Sequence, residues 1–431
     1  MEILSSYNLI IASSLILILS FSFGEISKKT NIPSVLMLIV LGIVLNFGLE
    51  AAGGGELNFL PILEVLGIVG LIMIVLEAAL ELELKEEKLV PIAKAFSIAL
   101  IGLMLSAWVA AMILNHFIDG MTMEKAWLYA TPLSILSSAI IIPSVAGLRD
   151  DKKEFHIYES TFSDILGIMM FYFLTGQLDV GEHAADHSSG LGGFAGNVVL
   201  TIVLSLVASY MIVLIFQNIK SHTKLFLLIA VLLLLYALGK KMHLSSLIII
   251  LVFGLLIANM NLFFQGPMRK LLNYREAKHI YDGLHVITME TAFVVRTFFF
   301  VIFGITISLA SLLNLNVAMI SVLIIASIYI IRYGILALFI GKDILPQLYI
   351  APRGLITVLL FYAIPESAIV EGFEPGILLF IIIGTSLIMT FAMIADKQKT
   401  GQAVRKASSI PIGYERWSAP TIEEVASDKE K

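Results

Sequence analysis

The chain has 431 residues, 58% of them hydrophobic and 14% charged, with a mean hydropathy of +0.95. A water-soluble core and shell cannot be built from that mixture, so soluble enzymes and binding modules are excluded and a polytopic membrane protein is expected. The net charge is −5 and there is no cysteine, which rules out disulfides, thiolate metal sites and a thiol nucleophile.

Apolar stretches of about 20 residues, each able to cross a hydrocarbon core of ~30 Å as a helix, recur from end to end. In chain order, about 13 spans are predicted. They fall near residues 8–25, 33–50, 58–82, 93–117, 125–148, 157–178, 194–217, 224–239, 243–262, 286–309, 316–341, 346–368 and 376–396. The opening MEILSSYNLI has no basic segment before its apolar run, so the first span is read as a retained helix and not a signal peptide.

An odd number of spans puts the two ends on opposite sides of the membrane. Sorted by that alternation, 22 of the 28 basic residues fall on the side of the C-terminus. Lys125, Lys240 and Lys241 fall on the other, and Arg296, Arg332 and Arg353 lie inside spans. The excess marks the cytoplasmic face, so the N-terminus is expected outside and the C-terminus inside.

Between spans, FQGPMRKLLNYREAKHIYDGLH mixes apolar and basic residues, as a helix on the cytoplasmic interface would, or a plain connecting loop. The outside loop DVGEHAADHSSGLGG places His183 and His187 four apart beside Glu182 and Asp186, a metal-site spacing in what otherwise reads as a solvated loop. Residues 397–431 have mixed charge, two prolines and no sustained apolar periodicity, and are expected to form a flexible cytoplasmic tail.

The chemistry lies in ionisable residues at membrane depth, each costly enough to be a functional candidate. The sixth span opens YESTFSD, with Glu159 and Asp164 five residues apart. At ~100° per residue they are separated by about 500° of rotation and cannot share one ligand shell. Ser160 and Asp164 are four apart and lie one above the other, as do Glu159 and Ser163. Two neighbouring faces therefore each pair a hydroxyl with a carboxylate, a donor set suited to a hard monovalent cation or a proton. Glu159, nearer the cytoplasmic end, could instead merely cap its helix. Arg332 is too deep in its span to snorkel and needs an anion. Glu159 and Asp164 are the best-placed partners, with Glu64, Glu77, Glu81 and Glu290 also at membrane depth, and periodicity does not assign the pair. Arg296 reads as half of a structural ion pair.

Backbone breaks give a second signal. YATPLSILSSAIIIPSVAG has Thr131-Pro132 and Pro143 within one apolar span, and LYIAPRGLITVLLF has Pro352-Arg353-Gly354 within another. Proline removes a helical N–H and frees carbonyls at membrane depth. One interrupted helix in each half of the chain is the pattern of inverted-repeat transporters, whose substrate site lies where the breaks meet.

With these motifs in order, the sequence over residues 8–396 resembles the monovalent cation:proton antiporter superfamily, of the sodium/proton antiporter and exchanger type. The carriers are KKTNIPSVLMLIVLGIVL, LIMIVLEAALEL, ATPLSILSSAI, ESTFSD, FFFVIFGITI, the lone Arg332, and PRGLITVLL. The resemblance implies an all-α fold of 13 spans with inverted repeats and two interrupted crossing helices, over residues 1–396. Spans 1–3 and 8–10 would form a scaffold, spans 4–6 and 11–13 a moving core, and span 7 the linker between them. It further implies that Asp164 binds cation and proton alternately with Ser160, Ser163 and Thr131 beside it. Glu159 would pair with Arg332, and Arg353 and Glu77 are secondary site candidates.

Two positions depart from the family pattern. Ala130-Thr131-Pro132 lacks the acid of the usual Thr-Asp-Pro, and Ser163 replaces the Asn before the key Asp. The shell thus loses a carboxylate and an amide carbonyl, which leaves the choice between Na⁺ and K⁺ open. The expected activity is electroneutral exchange of protons for Na⁺ or K⁺ across a cell membrane by a homodimer. The alternative is a cation channel or ion-gated sensor on the same scaffold. No HExxH, GxGD or GxSxG pattern supports a membrane enzyme. No cofactor, resident metal or nucleic-acid partner is expected.

Overall fold

The computed structural model describes residues 6–30, 32–51, 60–82, 84, 86–145, 148–179, 191–219, 221, 223–241, 246–265, 270–306 and 314–408. Among them there is no strand, and the helices in chain order are α1 (Ser6–Thr30), α2 (Ser34–Ala51), α3 (Leu60–Glu81), α4 (Leu89–Phe117), α5 (Met123–Ser134), α6 (Ser138–Ser144), α7 (Asp150–Asp179), α8 (Leu191–Phe216), α9 (Lys224–Lys241), α10 (Ser246–Ala258), α11 (Met260–Phe263), α12 (Tyr274–Thr306), α13 (Leu315–Phe339), α14 (Leu355–Tyr362) and α15 (Gly376–Ser408). Every predicted span overlaps at least one of them. By length and apolarity, seven stretches among the described residues can cross a bilayer. Those in α2, α9 and α10 are apolar but shorter, and α14 has only eight residues.

Side-chain placement follows the logic of a lipid-facing bundle. On α4, buried Ile92, Ala95, Ala99, Leu103, Ser106, Ala110 and Leu114 recur every three or four residues, the stripe a helix turns towards its neighbours. The alanines and Ser106 let α5, α7 and α13 pack close against it. The opposite face exposes Leu100, Ile101, Met104, Leu105, Trp108 and Met112, which suits hydrocarbon and not water. A tighter contact joins α2 to α12. A Cβ on Gly42 would overlap the Val301 carbonyl, and one on Gly304 would overlap the Ile39 carbonyl, so both positions need glycine.

The helices sort into two densely packed groups. One gathers α4, α5, α7, α13 and α15, and the other gathers α2, α3, α10 and α12. Thinner contacts of α3 with α7 and α14, and of α1 with α6, connect them.

Three expectations shift. The amphipathic stretch before the tenth span is not a separate interfacial helix, because from Tyr274 it is already the first turns of the 33-residue α12. The boundary at residue 397 falls inside α15, which continues to Ser408, and the rest of the predicted tail lies outside the described residues. The break in the fifth span is not at Pro132, which α5 accommodates, but at Ile135–Ser137, where Ser163 of α7 and Pro352 of the second break supply partners for the freed backbone. The loop holding Glu182, His183, Asp186 and His187 lies outside the described residues.

Candidate functional site

The two interruptions meet. After α5 the chain is extended through residues 135–137 before α6 begins, and before α14 it is non-helical through residues 350–354. The Ser137 amide donates to the Pro352 carbonyl at 3.0 Å, and a Cβ on Gly354 would strike the Ser137 side chain. Glycine at 354 is what lets the two breaks touch. Main-chain groups that a continuous helix would have paired internally are thus satisfied across the crossing, the requirement for irregular backbone at membrane depth.

Against this crossing lies α7, whose two faces do different work. Glu159 accepts from both Nη atoms of Arg332, at 2.7 and 2.9 Å, and the Arg332 Nε donates to the Gln347 carbonyl at 3.0 Å. This is a bidentate fork between α7 and α13, buried from solvent. Beneath it, buried His156 has its Nδ1 3.3 Å from the second Glu159 oxygen. One turn on, Ser163 Oγ accepts the Leu136 amide at 3.0 Å and so caps the broken end of α5.

The other face carries Ser160 and Asp164. Ser160 Oγ donates to its own helix at the His156 carbonyl, 2.7 Å away. Asp164 is 2% exposed, yet neither carboxylate oxygen has a protein partner in hydrogen-bond geometry. The hydroxyl and amide of Ser138, the first residue of α6, are near enough to bear on the Asp164 charge without meeting that geometry. Ser138 was within reach of the sequence reading, since it sits in the broken stretch, but a run of two serines gives no sign of which one faces an acid. Thr131 is fully buried and its hydroxyl donates to the Trp127 carbonyl of its own helix at 2.8 Å.

The secondary candidates separate. Arg353 sits at the crossing, with its Nε on the Leu133 carbonyl at 2.8 Å, its Nη1 on the Ala351 carbonyl at 3.0 Å, and its amide on Thr385 Oγ1 at 3.0 Å. Glu77 is elsewhere, 3.4 Å from Arg296 between α3 and α12, with Glu81 one turn along α3. It joins the packing of the second helix group and not the Asp164 face. His156, Gln347 and Thr385 were missed from sequence. Of these, His156 left a trace, three residues before Glu159 on the same helix. Among the described residues no group of three His, Asp or Glu side chains could hold a resident metal.

A helical bundle in which two broken helices cross beside a buried carboxylate is the architecture of ion-coupled secondary transporters. The chain belongs to the sodium/hydrogen exchanger family, whose transmembrane-domain profile matches residues 13–395. That is a family of transporters, not of enzymes. The fold is similar to that of the sodium proton antiporter MjNhaP1 from Methanocaldococcus jannaschii at pH 8, with 21% identity, a TM-score of 0.66, and coverage of 92% of this chain and 98% of that one. A second structure of MjNhaP1, from an electron-microscopy map, matches with 19% identity and a TM-score of 0.63 over 96% of this chain and all of that one. At these identities the likeness establishes the fold. No curated protein matches the sequence.

Proposed function

We propose that the protein exchanges protons for Na⁺ or K⁺ across a cell membrane, one for one, with both ions competing for Asp164. The observation that carries this reading is the contrast on α7. Glu159 is neutralised by Arg332, whereas Asp164 is buried without a protein partner beside the crossing. A buried carboxylate needs a positive ion, and one such acid binds either a proton or a metal ion at a time. Ser160 and Ser163 hydroxyl oxygens, the Thr131 oxygen and the carbonyls freed at the breaks are the oxygen donors proposed for a dehydrated monovalent cation.

Exchange proceeds by alternating access, the group built on α4, α5, α7 and α13 moving against the group built on α2, α3, α10 and α12. The thin contacts between the groups support this division. With one titrating acid per cycle, no net charge moves, so the membrane potential, worth ~2.3 kcal/mol per charge per 100 mV, does not drive turnover. The N-terminus is outside, the C-terminus is cytoplasmic, and the unit is a homodimer in the lipid bilayer.

Reconstituted protein should show proton flux on addition of Na⁺ or K⁺ between pH 6 and 9, and adding them in turn identifies the cation. Flux without cation dependence, or none with folded protein, defeats the reading. The absence of a second acid at Thr131 favours one rival, a cation channel on the same scaffold. Unitary currents in a planar bilayer would decide for it.

A further inference from the structure

A cavity of about 30 Å³ lies among α4, α5, α7 and α13. Its polar lining is Ser106, Ser134, Glu159, Ser163, Arg332 and Arg353. That volume suffices for one small ion or about one water molecule. Asp164 does not line it, but Ser163 does, so the cavity adjoins the proposed cation site and shares that one residue with it.

The charges around it do not cancel. Glu159 is matched by Arg332, in a bidentate pair. Arg353, 2% exposed, has no carboxylate within 4.0 Å among the described residues. A guanidinium carries five N–H donors. Two of those on Arg353 are met, by the carbonyls of Leu133 and Ala351, and the other three have no acceptor among the described residues. The Leu133 carbonyl lies in the last turn of α5, whose C-terminal partial charge of about −0.5 offsets only part of the cation. A buried cation left in this state is costly.

The hydroxyls point to the same class of occupant. Ser134 spends its proton on the Ala130 carbonyl, but the Ser163 oxygen is an acceptor for the Leu136 amide, which leaves its O–H free to donate. Ser106, buried on the opposite wall, makes no side-chain hydrogen bond among the described residues. We infer that this cavity binds a small monovalent anion of the chloride class, held by the free N–H groups of Arg353 and the hydroxyls of Ser106 and Ser163. The anion ties α4 and α7 to the crossing. Water would supply the missing acceptors but not the missing charge.

The test is a melting curve of the detergent-purified protein at fixed Na⁺ and ionic strength, with chloride, bromide, gluconate or sulfate as anion. Chloride and bromide should raise Tm by several degrees over gluconate and over sulfate, which is too large. Ser106→Leu, which fills the cavity and leaves Arg353 in place, should abolish that increment. Equal Tm in chloride and gluconate, or an undiminished increment in S106L, overturns the inference. If S106L fails to fold, crystals grown in bromide replace it. An anomalous peak between Arg353 and Ser163 supports the site, and density for water alone refutes it. Neither readout depends on transport, so the outcome is independent of the proposed exchange.

Discussion

Glu159 and Asp164 stand five residues apart on one helix, at 1% and 2% exposure, and the same environment treats them oppositely. Glu159 has a guanidinium on both oxygens and an imidazole beneath it. Asp164 has a serine hydroxyl and amide nearby and no partner in bonding geometry. Burial alone therefore does not make a carboxylate available to an ion. The difference lies in what α13 and α6 bring up to it, a cation in one case and the start of a short helix in the other.

The largest effect should come from removing the available acid. Asp164→Asn is expected to fold with a wild-type melting curve and to drop cation-dependent proton flux to that of empty liposomes. Wild-type flux in D164N would show that the partnerless carboxylate is not the exchange site. Breaking the paired acid should instead cost stability. Arg332→Ala strands Glu159 in a dry interior and should cost about 3–5 kcal/mol, read as a lowered melting temperature and poor yield. The double variant Glu159→Leu with Arg332→Leu should recover much of that loss, because apolar replacement of a whole buried pair is often neutral. Failure of the recovery would mean that the fork does more than hold α7 to α13.

Smaller effects sharpen the contrast. Ser163→Ala leaves the Leu136 amide without its acceptor, at a cost of about 1–3 kcal/mol, and should weaken the apparent affinity for the cation while exchange persists. Competition at Asp164 can also be read without mutation. On the acid side of its titration, the Na⁺ concentration for half-maximal exchange should rise by up to about tenfold per pH unit, because one proton is displaced per cation bound. A pH-independent value would break the proposed competition. Least affected should be Glu77→Gln, which loosens a 3.4 Å pair with Arg296 outside the crossing. A smaller loss of stability than in Arg332→Ala, and no change in flux, are expected there.

Much of the fold was legible along the chain. Apolar runs of bilayer length marked the helices. The rotation between Glu159 and Asp164 separated their faces before any coordinates, because helical geometry is the same in every helix. The placement of the breaks was legible only in part. Proline marked the right spans, but the fifth opens three residues beyond Pro132, where Ser163 and Pro352 from elsewhere in the chain satisfy Leu136 and Ser137. The helix boundary near Tyr274 was missed because a mixed basic and apolar turn reads alike on an interface or at the foot of a long helix.

Local composition and periodicity determined that this protein is an all-helical membrane bundle with acids at depth, since hydropathy and helical rotation accumulate residue by residue. Periodicity did not assign the partnership of Arg332; the resemblance implied Glu159, and only the tertiary structure brings the two side chains together. Arg332 and Glu159 are 173 residues apart, and spacing left Glu159 and Asp164 as the best-placed partners without choosing between them. Only the packing of α13 on α4 and of α4 on α7 brings that one pair within 2.7 Å, and this is what leaves Asp164 free of a counter-charge.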